Sequence, residues 1–147
     1  INDGSAALGF TVFSICMFAM RLMGDRISFK FGPSKTARYS GLVALIGSII
    51  LLTFESFFPL LIGFGLIGLG IAVIIPLAFS RAGNDKNISQ GVAIASIATL
   101  GYGGMLLGPL IVGFIAEFTS IKTSFFILPI LALFIFLLSK HLSIKTH

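Results

Sequence analysis

The sequence predicts an all-α fold, a polytopic transmembrane helix bundle with five spans in one partial transmembrane domain over residues 1–147. Three observations carry this. Hydrophobic residues make up 56% of the chain and charged residues 10%, too little polar surface to wrap a small water-soluble domain. The apolar residues gather into five continuous runs separated by short polar joints, and none alternates apolar with polar as a barrel strand does over about 10 residues. Backbone amides in hydrocarbon must be satisfied within their own segment, so runs of this kind become helices.

The first run, residues 6–23, predicts a helix over about 5–24. The second, 39–54, falls short of the ~17 residues that a ~30 Å core requires at ~1.5 Å per residue, and it borrows Thr36 to Arg38 to give 36–54. The third covers 57–79 and carries Gly63, Gly65, Gly68 and Gly70 ahead of Pro76, a soft helix suited to close packing. The fourth, 91–116, predicts a helix over 89–117. In it Gly104, Gly108 and Gly113 permit close approach of another helix and Pro109 supplies a kink site, so bending and plain packing stand as equal alternatives. The fifth, 125–138, extends to 122–140; it has no Gly and is nearly all large apolar residues, as suits a helix facing lipid.

Charge orients these spans. Nine of the ten Lys and Arg residues flank the first joint (Arg21, Arg26, Lys30, Lys35, Arg38), the third (Arg81, Lys86) or the tail (Lys140, Lys145), which fall on one side when five spans are threaded in order. The other side carries Asp3, Glu55, Glu117 and Lys122. The positive-inside bias then predicts an integral protein of the plasma (inner) membrane with a cytoplasmic C-terminus and an external N-terminus. Lipid is the first expected partner. The net charge of +5 forms no extended patch, so nucleic acid is not expected.

The same residues limit the chemistry. No Asp, Glu, Lys or Arg stands near the middle of a span, where one costs about 2.5–3.5 kcal/mol and signals an ion relay, and Glu55 and Glu117 read as headgroup-level carboxylates. Cys16 reads as a small buried hydrophobe, and His141 and His147 lie too far from carboxylates or thiols to form a metal site. No catalytic residue, metal or cofactor is expected, because a membrane-embedded enzyme needs clustered His, Asp or Glu. The chain starts at Ile1 without an initiator Met or a signal-peptide pattern and reads as a fragment.

The joint from Arg21 to Lys35 is dense in charge, Gly and Pro, and Gly24, Gly32 and Pro33 predict a tight turn there. Its cations meet anionic headgroups, each contact worth about 1 kcal/mol. Asp25, an isolated carboxylate among five cations, invites a specific partner. Gly24-Asp25-Arg26 followed by Lys30, Gly32 and Lys35 resembles the loop signature of the major facilitator superfamily. There a Gly-x-x-x-Asp-Arg-x-x-x-Arg/Lys-type sequence joins the second and third helices and recurs between the eighth and ninth. Arg21 departs from it, standing where the signature has its first Gly.

The resemblance implies that the spans are helices eight to twelve of a twelve-helix fold, with the external start and cytoplasmic end that the charges require. It implies a secondary active transporter moving a small solute by alternating access about a midplane site. Gly24, Asp25, Arg26, Lys30 and Gly32 become a gating loop, with Asp25 near the start of the eleventh helix around Ser89, Gln90 and Gly91. Gly104, Gly108, Pro109 and Gly113 become the Gly-Pro motif of that helix. The implied partners are the N-terminal helices of the same protein and a small-molecule substrate. Thr11, Ser14, Ser96, Thr99 and Tyr102 are candidate substrate contacts, since polar groups inside a membrane helix face protein or water; the alternative for each hydroxyl is a bond back to its own helix. Composition also admits a non-transporting membrane scaffold or assembly protein.

Overall fold

The computed structural model describes residues 3–142, so the sequence expectations for Lys145 and His147 lie outside the described residues. Five stretches are long and apolar enough to cross a membrane: Ala7–Phe31, Pro33–Thr53, Phe57–Gly83, Gln90–Phe118 and Ile121–His141. They are built from seven α-helices, α1 (Asp3–Phe31), α2 (Pro33–Thr53), α3 (Phe57–Ile71), α4 (Ile74–Gly83), α5 (Gln90–Phe118), α6 (Ile121–Ser124) and α7 (Ile127–Leu138), closed by a 3-10 turn over Ser139–Leu142.

The first helix runs further than its apolar run suggests. Gly24 does not end it, because one Gly in a helix interior costs only about 1 kcal/mol relative to Ala. The stop comes at Gly32, where Pro33 disfavours helical backbone in the residue before it and Gly32 takes φ 85° and ψ 153°, a region essentially reserved for glycine. The turn expected in the joint from Arg21 to Lys35 is thus one residue long, and Arg21, Gly24, Asp25, Arg26 and Lys30 ride on α1 itself. The Gly32 amide still donates to the Ser28 carbonyl at 2.9 Å and the Thr36 amide to the Gly32 carbonyl at 3.0 Å, leaving no stray backbone group at the reversal.

The five prolines divide by position. Pro33 and Pro59 sit in the first turns of α2 and α3, where a missing N–H removes nothing the helix would use. Pro76 and Pro129 sit deeper in their spans, and each span is interrupted beginning four residues earlier, at Ala72 and at Phe125. That is where proline acts, since it lacks the N–H for the carbonyl four residues back and its ring crowds that carbonyl. The third and fifth expected helices are therefore each two helices in sequence. Pro109 lies inside α5, which stays continuous.

The chain forms two compact units, one of Ile1–Ile74 with Phe126–His147 and one of Ile75–Phe125. In the first, α3 packs against α1 and α2, and α2 also packs against α7. The face that α2 buries consists of Thr36, Ala37, Ser40, Gly41, Ala44, Gly47 and Ser48, small residues recurring at spacings of three and four. Gly47 abuts the backbone of α3 at Gly63, and Gly41 abuts α7 at Phe136. Large side chains such as Phe10, Phe18, Leu131 and Phe134 are exposed instead. This inversion follows from the solvent. Lipid tails are as apolar as leucine, so helices gain by close van der Waals approach through small residues rather than by hiding large ones.

The second unit holds most of α4 with α5 and α6. Ser120 caps α6, its Oγ accepting from the Thr123 amide at 3.1 Å. None of the most apolar window of α5 is buried, against 44% of the window in Phe57–Gly83.

Candidate functional site

α1 is 29 residues long, about 43 Å at ~1.5 Å per residue, and overshoots a ~30 Å hydrocarbon core. With its apolar run in the core, the stretch from Gly24 to Phe31 projects as helix into the headgroup zone. Gly24 is buried, and a side chain there would collide with Cγ1 of Val73, in the interruption between α3 and α4. Gly24 thus sets α1 against the stretch that Pro76 loosens.

The charged residues of this segment turn away from that contact. Arg21, Asp25, Arg26 and Lys30 are all exposed. Arg21 and Asp25, four apart, share one helix face, as do Arg26 and Lys30. Arg21, the departure from the family signature, therefore shares a face with Asp25, where a pair of this spacing is worth about 0.2–0.5 kcal/mol. Lys30 Nζ lies 5.6 Å from the centroid of its neighbour Phe31. The result is a single carboxylate in a field of cations, carried on a rigid helix rather than a loop. Such an arrangement can favour a partner with partial positive charge, including a helix N-terminus.

The hydroxyl candidates divide between the two units. Thr11 and Ser14 lie on α1, with Thr11 Oγ1 donating to the Ala7 carbonyl at 2.8 Å. Ser96, Thr99 and Tyr102 lie on α5, where Ser96 Oγ donates to Val92 and Thr99 Oγ1 to Ala95, both at 2.8 Å. Three of the five hydroxyls thus spend their proton on their own helix, the alternative that the sequence left open. Each keeps lone pairs as an acceptor. Tyr102 is 70% exposed.

Gly104, Gly108 and Gly113 of α5 face open space, with no atom within 4 Å of where a side chain would begin. Pro109 is exposed on the same helix. The small-residue face read from the sequence is present and uncovered, whereas Gly63, Gly68 and Gly70 of α3 are packed tightly against neighbours. Sequence reading missed Val73 as the partner of Gly24, which no pattern in the chain announces. It also missed the small-residue face of α2, which the recurrence of Ala37, Gly41, Ala44 and Ser48 does signal.

Comparison with known proteins agrees with these features. The sequence profile of the Major Facilitator Superfamily matches residues 1–144. An uncharacterized transporter of Sinorhizobium fredii is 40% identical over 131 residues, covering 89% of this chain and 35% of that protein. An uncharacterized MFS-type transporter of Yersinia pestis is 38% identical over 125 residues, 85% of this chain and 33% of that protein. The membrane protein MosC of Rhizobium meliloti is 37% identical over 117 residues, 80% of this chain and 29% of its own length. The chain spans about a third of the length of these curated relatives. No solved structure matches it. An all-helical chain with five membrane-crossing stretches, an Asp-Arg segment at the end of the first and a family profile matched almost end to end, this is an integral membrane protein that belongs to the Major Facilitator Superfamily.

Proposed function

We propose that this chain supplies helices eight to twelve of a secondary active transporter, which moves a small solute across the inner membrane by alternating access. The observation that carries the reading is the position of Gly24-Asp25-Arg26, on the projecting end of the first span among cations, with Gly24 sealed against Val73. Two of the relatives bear the word transporter in their names.

In this reading the N-terminal helices of the same protein cover the open face of α5 at Gly104, Gly108 and Gly113. Asp25 meets the N-terminus of α5 near Ser89, Gln90 and Gly91 in one gate state. Ser89 supplies no side-chain cap to that helix, which leaves its first amides receptive. A carboxylate there is worth about 0.3–1 kcal/mol exposed and up to ~2 kcal/mol partly buried, a several-fold bias between gate states. Arg26, Lys30 and Gly32 hold the segment at the inner surface, and the tail lies in the cytoplasm. The substrate site draws on Thr11, Ser14, Ser96, Thr99 and Tyr102 together with helices contributed by the rest of the protein.

The test uses the protein expressed from its complete reading frame. Asp25→Asn is expected to insert and express normally while transport slows several-fold, measured as solute flux in proteoliposomes once a ligand-stabilisation screen has identified a substrate. Wild-type kinetics at equal expression would remove the gating role. A reporter fused after His147 is expected to be cytoplasmic, and an external signal would overturn the orientation.

A further inference from the structure

The first unit contains a cavity of about 640 Å³ between α1, α2 and α3, within the ~300–1,000 Å³ range of small-molecule sites. Its walls change character along the helix axis. On α2, Lys35, Tyr39 and Val43 follow one another at a spacing of four and so line a single face, running from ammonium to phenol to aliphatic over about 12 Å. Opposite them, Ile27 of α1 stands nearer the reversal, and Met20 of α1 with Leu69 of α3 extends the apolar end. Among the described residues lining the cavity there is no carboxylate.

Lys35 stands two residues beyond the start of α2 at the Gly32-Pro33 reversal, in the headgroup zone into which the end of α1 projects. Two cations of the same joint lie on aromatic rings: Lys30 over Phe31, and the Arg38 guanidinium 5.0 Å from the centroid of Phe136. Among the described residues, the Lys35 ammonium and Tyr39 hydroxyl have no such partner. A cation and a phenol at headgroup depth, above an apolar slot, match an amphiphile with an anionic head and a hydrocarbon tail.

We infer that this cavity is a binding site for one anionic phospholipid of the leaflet facing the cationic joint, its phosphate held by Lys35 and Tyr39 and one acyl chain lying along Val43, Met20 and Leu69. Lipid binding here needs only that the chain is in a membrane and does not depend on the proposed transport. Charge complementarity selects the head, and the graded wall sets the direction in which the lipid enters.

Native mass spectrometry of the delipidated protein, expressed from its complete reading frame, tests this with phosphatidylglycerol and phosphatidylcholine of identical acyl chains. Wild type is expected to retain one phosphatidylglycerol at lower lipid concentration than phosphatidylcholine. Lys35→Gln should weaken phosphatidylglycerol retention about fivefold, the factor one lysine–headgroup contact is worth, and phosphatidylcholine retention less, because choline offsets the charge of its phosphate. Val43→Trp, which fills the slot, should reduce both, and Lys86→Gln, outside the cavity, should change neither. Equal retention of the two lipids, an unaffected Lys35→Gln, or an equal loss in Lys86→Gln would overturn the site. So would failure of wild type to hold either lipid, the outcome expected if another segment of the same polypeptide fills the slot.

Discussion

Replacing Gly70 with leucine puts the packing logic of the first unit at risk in a measurable way. A Cβ at position 70 would lie 2.6 Å from the Ala44 amide nitrogen, 2.6 Å from the Ser40 carbonyl oxygen and 2.7 Å from the Ala44 Cβ. Ordinary contact begins at 3.4 Å, and these neighbours are backbone and a methyl group with no rotamer to change. The helices α2 and α3 must therefore separate along their whole contact, which also pulls Gly47 away from Gly63. Overpacking of this kind costs about 1–3 kcal/mol, and leucine adds three carbons beyond the Cβ, placing the variant at the upper end. At about 2–4 °C per kcal/mol for a chain of this size, the apparent melting temperature in detergent should fall by about 5 °C or more. Fluorescence-detected size exclusion after a heating series reads this directly. Gly4→Leu is the control, because nothing lies within 4 Å of its position, and it should shift by no more than about 1 °C. A Gly70→Leu protein as stable as the control would refute the close α2–α3 contact.

Three further outcomes follow from particular residues. Gly32→Ala forces a side chain into φ 85°, ψ 153° and should destabilise by about 1–3 kcal/mol, read from the same heating series; an unchanged midpoint would show that the reversal does not need that backbone. Pro76→Ala supplies an amide able to bond the Ala72 carbonyl, so the interruption at Ala72 and Val73 should close. Hydrogen exchange of the new amide at position 76 is then expected to be slow, and fast exchange would place the cause of the break elsewhere. Gly108→Leu meets open space in this chain, so in the complete protein it should lower assembly or transport only if another helix covers α5; full activity would leave that face to lipid.

Much of this protein was legible because the controlling forces act locally. Membrane helices follow from uninterrupted apolar runs, since a backbone amide in hydrocarbon is satisfied only by its own helix, and the five stretches are found in the structure. The helix ends were harder to read. Arg21, Asp25, Arg26 and Lys30 look like a loop by polarity, yet helix tolerates all of them in the headgroup zone, and only the Gly32-Pro33 pair carries the backbone reason to stop. The interruptions at Ala72 and Phe125 were equally available in principle, each set by a proline four residues on, but a reading by hydropathy alone passes over them.

The linear chain by itself determined that these are membrane helices, that they make five spans and which joints are cationic, because hydropathy and charge act on the segment that contains them. Only the tertiary structure decided which small residues are contacts and which are bare. Gly24 is sealed by Val73 and Gly70 by Ala44, while Gly104 and Gly108, of the same chemical type and on an equally apolar helix, face open space. A glycine does not specify its neighbour; it permits one to come close, and whether one does depends on where the other helices pass. The same is true of the slot below Lys35 and Tyr39, whose walls come from three helices and whose shape exists only once α1, α2 and α3 have packed.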